Sequence, residues 1–171
     1  MAVLKSIITA FITLAVYSSL VSAAPEGTFN TTRNAVATFT KGVNGTITFQ
    51  GYYDEKTKKE STLITVDIQS GLDIPAEGYP YHVHVKPITG DNCTTAGGHL
   101  DPKNITDLFV CKPPNLAECQ PGDLSGKYGK LIADNGKNKT TAVDEYLSWT
   151  NPDYTLLNRS VVIHYPNSEF F

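Results

Sequence analysis

The chain is expected to fold as an all-β domain, a Greek-key antiparallel β-barrel or sandwich, on three observations. Short runs of β-branched and aromatic residues recur from residue 35 to residue 164. Gly, Pro, Asn and Asp break those runs at turn-like intervals. No long stretch carries apolar residues at helical spacing. Many short strands separated by turns form the pattern of a sandwich or barrel.

The chain has 171 residues, enough for one domain with a proper core and too few to expect two. Residues 1–23 are read as a secretory signal peptide. Lys5 supplies the positive start, a mostly apolar run follows, and Val21-Ser22-Ala23 offers a small-x-small cleavage site. The run is too short and too polar at its end for a stable membrane span. Residues 24–171 form the single domain.

Within it, 36–39 is an apolar-rich strand and 42–45 a turn. Residues 46–53 alternate Ile47, Phe49 and Tyr52 against polar neighbours, and 61–68 mix strong β formers throughout. Lys56, Lys58 and Lys59 lie between Glu55 and Glu60, as expected of a solvated hairpin turn. Pro75, Gly78 and Pro80 lead into a strand at 81–85, after which 87–122 reads as loop. Further strands are expected at 129–133, 146–149 and 159–164, with 142–149 open to being a short helical turn instead.

The formal net charge is −3. A mildly acidic chain without a basic patch is a poor binder of nucleic acid or of anionic membranes. Six N-x-S/T sequons, at Asn30, Asn44, Asn92, Asn104, Asn138 and Asn158, stand behind the leader. Together they predict a secreted glycoprotein, extracellular and either free or at a cell wall.

The chemistry concentrates in the four histidines. His82 and His84 stand two apart on a predicted strand, so both imidazoles leave the same face. His99 follows a Gly97-Gly98 turn that folds back over that face, and His164 ends a second β-branched strand. A histidine pair on a strand is more often two half-buried side chains than a metal site. With every histidine of the chain in these places, a metal site becomes the better reading. Four neutral imidazoles suit copper, zinc or nickel, and a flat arrangement favours Cu(II). No Cys-x-x-Cys pair supports a structural zinc.

Four motifs in order carry a resemblance: His82-Val83-His84, Gly90 through Pro102 around Cys93 and His99, Gly122-Asp123-Leu124-Ser125-Gly126, and Arg159 through His164. The chain resembles the copper/zinc superoxide dismutase family, whose fold is an eight-stranded Greek-key barrel. The resemblance implies copper bound by His82, His84, His99 and His164, with His99 in the place of the histidine that bridges copper to zinc. The two further zinc histidines are missing, so the chain is similar to the copper-only secreted branch found in fungi. One copper per chain and no zinc are expected. The resemblance makes His99 and Asp123 the catalytic residues, with Asp123 and Gln120 supporting the ligand imidazoles. Glu118 is the alternative to Gln120.

The implied function is an extracellular copper-only superoxide dismutase that converts superoxide to hydrogen peroxide and dioxygen by cycling Cu(II) and Cu(I). The alternative is a catalytically impaired secreted copper-binding glycoprotein on the same scaffold. The alternative arises because the family's C-terminal cysteine and arginine have no counterpart after His164, and the domain is read as truncated there. Three cysteines leave one unpaired. Either Cys111 and Cys119 pair and Cys93 stays free, or Cys93 pairs with one of them. Superoxide is the only expected partner, and a monomer without membrane insertion is favoured.

Overall fold

The structure is a computed structural model and describes residues 9–11, 33–73 and 77–166. Among them are seven strands: β1 (Thr9–Phe11), β2 (Arg33–Lys41), β3 (Val43–Asp54), β4 (Lys59–Ser70), β5 (Tyr81–His84), β6 (Asn138–Asp144) and β7 (Ser160–Ile163). One helical turn, α1 (Leu124–Tyr128), lies in the connection after β5. Most of residues 1–23, Asn30 and the residues after Pro166 fall outside the described residues. The exception is Thr9–Phe11, which pairs antiparallel with Asn34–Val36 of β2.

The first sheet runs β1-β2-β3-β4-β6, and β5 pairs with β7 in a second. The chain leaves the first sheet after β4, makes β5, returns with β6 to the free edge of β4, and leaves again for β7. That exchange of sheets is the Greek-key signature.

A period of two selects what fills the space between the sheets. Ala35, Ala37 and Phe39 of β2, Ile47 and Phe49 of β3, and Ile64, Val66 and Ile68 of β4 are all buried. Gly51 takes the next inward place on β3. A Cβ there would stand 2.4 Å from Nε1 of Trp149, so the indole occupies the room a side chain needs. The β3–β4 turn is held by Asp54, whose carboxylate accepts from the Lys56 and Thr57 N–H groups and from the Thr57 hydroxyl. The lysine run is therefore a solvated turn, in agreement with its sequence.

Three connections differ from expectation. Asn138–Asp144 is a full strand along β4, although no strand is legible there. Lys139, Thr140, Thr141 and Val143 face water, which hides the alternation of an edge strand. Residues 129–133 give only one bridge, Leu131 to Tyr79. Residues 146–149 form neither strand nor helix. They bend because Asp144 Oδ1 accepts from the N–H groups of Tyr146 and Leu147, and the bend drops Leu147 and Trp149 into the core.

A buried ion pair ties α1 to β6. Lys127 Nζ meets Asp144 Oδ2 with both side chains fully buried, and donates at 2.8 Å to the Pro121 carbonyl. The Tyr128 hydroxyl donates to the same carboxylate oxygen at 2.7 Å. Burial pushes the Lys127 amine below its ordinary pKa and the Tyr128 phenol above its own.

Candidate metal centre

The histidines lie outside the barrel wall, on its β5–β7 side. Tyr81 and Val83 of β5 are buried in the core, so His82 and His84 point the opposite way, under the long loops. Pairing with β7 sets Tyr81 against Ile163, and the His164 N–H donates to the Pro80 carbonyl at 2.7 Å. His164 is thus delivered beside the β5 pair. His99 comes from the loop that covers the other edge of β5. Val85 N–H bonds Gly98 O, and Leu100 N–H bonds Val83 O. Gly122 locks this edge by accepting from Val83 and donating to Leu100. A Cβ on it would meet Val83 O at 2.5 Å. That close approach fixes where Gln120 and Asp123 stand.

One nitrogen of each of the four imidazoles lies within 4.8 Å of the others. They line a pocket of about 350 Å³ with Cys93, Asp107 and Tyr165 among its other walls. For three of the rings the surrounding groups fix which nitrogen is left free. His84 Nδ1 lies 2.8 Å from the Gly97 carbonyl, which only accepts, so Nδ1 carries the hydrogen and Nε2 keeps a lone pair. His99 Nδ1 lies 2.8 Å from Gln120 Oε1 and 3.1 Å from Asp107 Oδ1, leaving its Nε2 free in the same way. His82 is reversed. Its Nε2 faces Asp123 Oδ1 at 3.5 Å and Ser125 Oγ at 3.4 Å, while Nδ1 is buried without any hydrogen-bond partner. His84 Nε2 and His164 Nε2 face each other at 3.4 Å.

A buried imidazole nitrogen without a partner is costly unless something else completes it. Here it belongs to a set of inward-facing nitrogens, the donor set of a transition-metal ion. The residues therefore fit a transition-metal ion such as copper, and the surroundings of His82, His84 and His164 favour unprotonated rings. Burial pushes His84 and His164 down to about 4, the latter with help from the neighbouring His84 and His99. His82 is driven lower still, by burial first and then by the other three imidazoles. Neutral imidazole is the form that binds metal.

The supporting groups divide between the rings. Asp123 stands beside His82, and its Oδ1 also accepts from the Gly126 N–H at 2.7 Å, capping α1. Gln120 is the group on His99, and Glu118 is exposed. Arg159 braces the approach to β7 through the carbonyls of Val85, Thr155 and Pro152. Cys111 and Cys119 are disulfide-bonded. Of the sequons, Asn44, Asn92, Asn104 and Asn158 are exposed, whereas Asn138 is half-buried with its amide bonded to Ile132 O. Asp107 is absent from the sequence-derived site. It sits in an aperiodic loop with only a sequon turn nearby, and nothing in its own neighbourhood marks it.

An antiparallel Greek-key barrel with four imidazoles gathered on one outer side defines a β-barrel of the metal-binding class. A family model described as copper/zinc superoxide dismutase matches residues 43–170, and the chain belongs to that family. A cell surface copper-zinc superoxide dismutase 6 of Candida albicans is 35% identical over 141 residues, covering 78% of this chain and 41% of the relative. A cell surface copper-only superoxide dismutase of Arthroderma benhamiae is 36% identical over 99 residues, covering 52% of this chain and 25% of the relative. The chain thus spans less than half the length of these two relatives. The Cu(II) structure of superoxide dismutase 5 from Candida albicans superimposes with a TM-score of 0.58 at 30% identity, covering 71% of this chain and 73% of that one.

Proposed function

We propose that the chain is an extracellular copper-only superoxide dismutase. His82 binds copper through Nδ1, and His84, His99 and His164 bind it through Nε2. The observation that carries this reading is the set of free nitrogens facing one another, one of them a buried orphan. The names of the fungal relatives support copper and a cell-surface setting, and the leader-like residues 1–23 support secretion.

The histidine count supports one copper per chain and no zinc. All four histidines serve the one site. His99 and Asp123 alone do not make a tetrahedral zinc site, and Asp123 stands beside His82 instead.

Copper held by these residues would supply one-electron chemistry, by which two superoxides and two protons become dioxygen and hydrogen peroxide. The protein's part is to hold and orient. Gly97 O and Gln120 fix the tautomers of His84 and His99, and Ser125 with the neighbouring Asp123 faces His82 Nε2, which keeps the coordinating nitrogens aimed without reorganisation. Once released from copper, His99 Nε2 would be the atom that holds a proton for the peroxide, while Gln120 keeps its Nδ1–H in place. The pocket opens to solvent and admits a small anion.

One observation favours the second reading, a copper-binding glycoprotein with impaired turnover. Asp107 is the only charged residue among the described ones lining the pocket, and a carboxylate repels superoxide. The deciding experiment is superoxide dismutation by the secreted, purified, copper-loaded protein, with metal content measured on the same sample. Fast turnover with one copper and no zinc is the expected result. Bound copper without turnover selects the second reading, and failure to bind copper overturns both.

A further inference from the structure

We infer that Asp107 is a positioning residue for His99, acting both on the ring itself and through Gln120. The inference rests on the copper reading above. Asp107 Oδ1 lies 3.1 Å from His99 Nδ1, and Gln120 Oε1 lies 2.8 Å from the same nitrogen. The Gln120 amide nitrogen in turn donates to Asp107 Oδ1 at 3.0 Å and to Asp101 Oδ2 at 3.3 Å. Imidazole, amide and carboxylate close a ring of three.

The two ends of a glutamine amide are alike in shape and opposite in chemistry. Ionised carboxylates only accept. The end of Gln120 that faces Asp101 and Asp107 must therefore be its NH₂, and its oxygen is turned onto His99. Both oxygens at Nδ1 are then acceptors, so Nδ1 carries the hydrogen and Nε2 keeps its lone pair for the metal. Without the carboxylates nothing on that side selects the amide's orientation. The opposite orientation would present an N–H to Nδ1 and move the ring's hydrogen to Nε2.

Asp107 also supplies charge that Gln120 lacks. A carboxylate 3.1 Å from Nδ1 favours the hydrogen on that nitrogen and raises the donor strength of the opposite one. Its placement is built rather than incidental. Thr106, a β-branched residue, is held at φ +72 immediately before it, a conformation such residues seldom adopt. The Thr106 N–H is tied to Asp101 Oδ2 at 2.9 Å, so the carboxylate that faces Gln120 also sets the backbone that delivers Asp107. Gln120 is buried, whereas Asp107 is about half exposed at the pocket mouth, so the latter can be altered without opening the core.

The test compares the copper-loaded parent with Asp107→Asn, Asp107→Ala and Asp107→Glu. Copper content, turnover, and pulsed electron paramagnetic resonance of the remote imidazole nitrogens are measured on each. The remote nitrogen of a copper-bound ring reports its own hydrogen bond. Expected are full copper occupancy, a changed remote-nitrogen signal for one ring in the Asn and Ala variants, a several-fold to tenfold drop in turnover, and partial rescue by Glu. An unchanged signal with unchanged turnover overturns the inference. Reduced turnover with an unchanged signal also overturns it, because the loop then acts only structurally. A parent that binds no copper overturns the copper reading itself, which keeps the two failures distinct.

Discussion

The molecule has two sides built on different principles. The wall formed by β2, β3, β4 and β6 consists mostly of long strands in regular register, and its core is apolar and fully buried. The side formed by β5 and β7 has strands of four residues each and depends on loops to finish it. Its key groups are polar atoms aimed by hydrogen bonds to Gly97 O and Gln120 and by the Asp123 carboxylate beside His82. The wall is specified by burial, which is tolerant of detail, and the site by donor-acceptor matching, which is not.

The largest effect is expected where that matching converges. His82→Ala and His84→Ala each remove one nitrogen of the converging set and should abolish copper binding and turnover while leaving the strand content of the wall intact. Metal analysis and circular dichroism check both halves of the statement. Retained stoichiometric copper in either variant would sink the site.

The next effect tests whether the two sides are one cooperative unit. Lys127 and Asp144 join α1, which Asp123 caps, to the last strand of the wall. Lys127→Met leaves Asp144 buried and unpaired, and should cost about 3–5 kcal/mol of stability. Denaturant unfolding followed on both sides should show a single transition shifted to lower midpoint. If only the signal from the site moves, the pair is not the joint between them.

Legibility in the sequence follows the same division. Ile47/Phe49 and Ile64/Val66/Ile68 advertise inward rows by alternation, so the long strands can be read directly. β6 cannot, because Lys139, Thr140, Thr141 and Val143 face water and its place is set by pairing with β4. The histidines are legible as residue types at strand spacing, and the roles proposed for them come from the resemblance. The amide of Gln120 and the carboxylate of Asp107 meet on His99 only through a loop closure about Gly122 and Thr106, and no local pattern encodes that encounter.

Acid should weaken the site side selectively. In the unfolded chain His84 and His164 take up protons near 6.5, but in the native protein only near 4, because they are buried. Between those values the unfolded state binds more protons, so lowering the pH favours unfolding. The metal-free protein should be most stable above about pH 6.5 and lose roughly 3 kcal/mol for each of these two histidines as the pH falls to about 4, with His82, whose pKa is lowered further, carrying the loss to lower pH still. Copper loading should hold the curve flat to lower pH, since a coordinated nitrogen takes no proton until the metal leaves. A metal-free stability that is flat from pH 7 to 4 would locate the acid-sensitive groups elsewhere.

The smallest effect belongs to the wall. Gly51→Ala pushes a methyl group into the Trp149 indole, whose Nε1–H donates to Thr62 Oγ1 at 3.0 Å. Overpacking of this kind costs about 1–3 kcal/mol, a fall of a few degrees in melting temperature for a chain of this size. Trp149 is the only tryptophan, so its fluorescence reports the change directly. Copper content and turnover should stay at the parent's level, because the wall supports the site through β-strand position and not through this contact. A variant that loses copper along with its tryptophan environment would mean that packing on the wall reaches the imidazoles, and that the two sides are less separable than their construction implies.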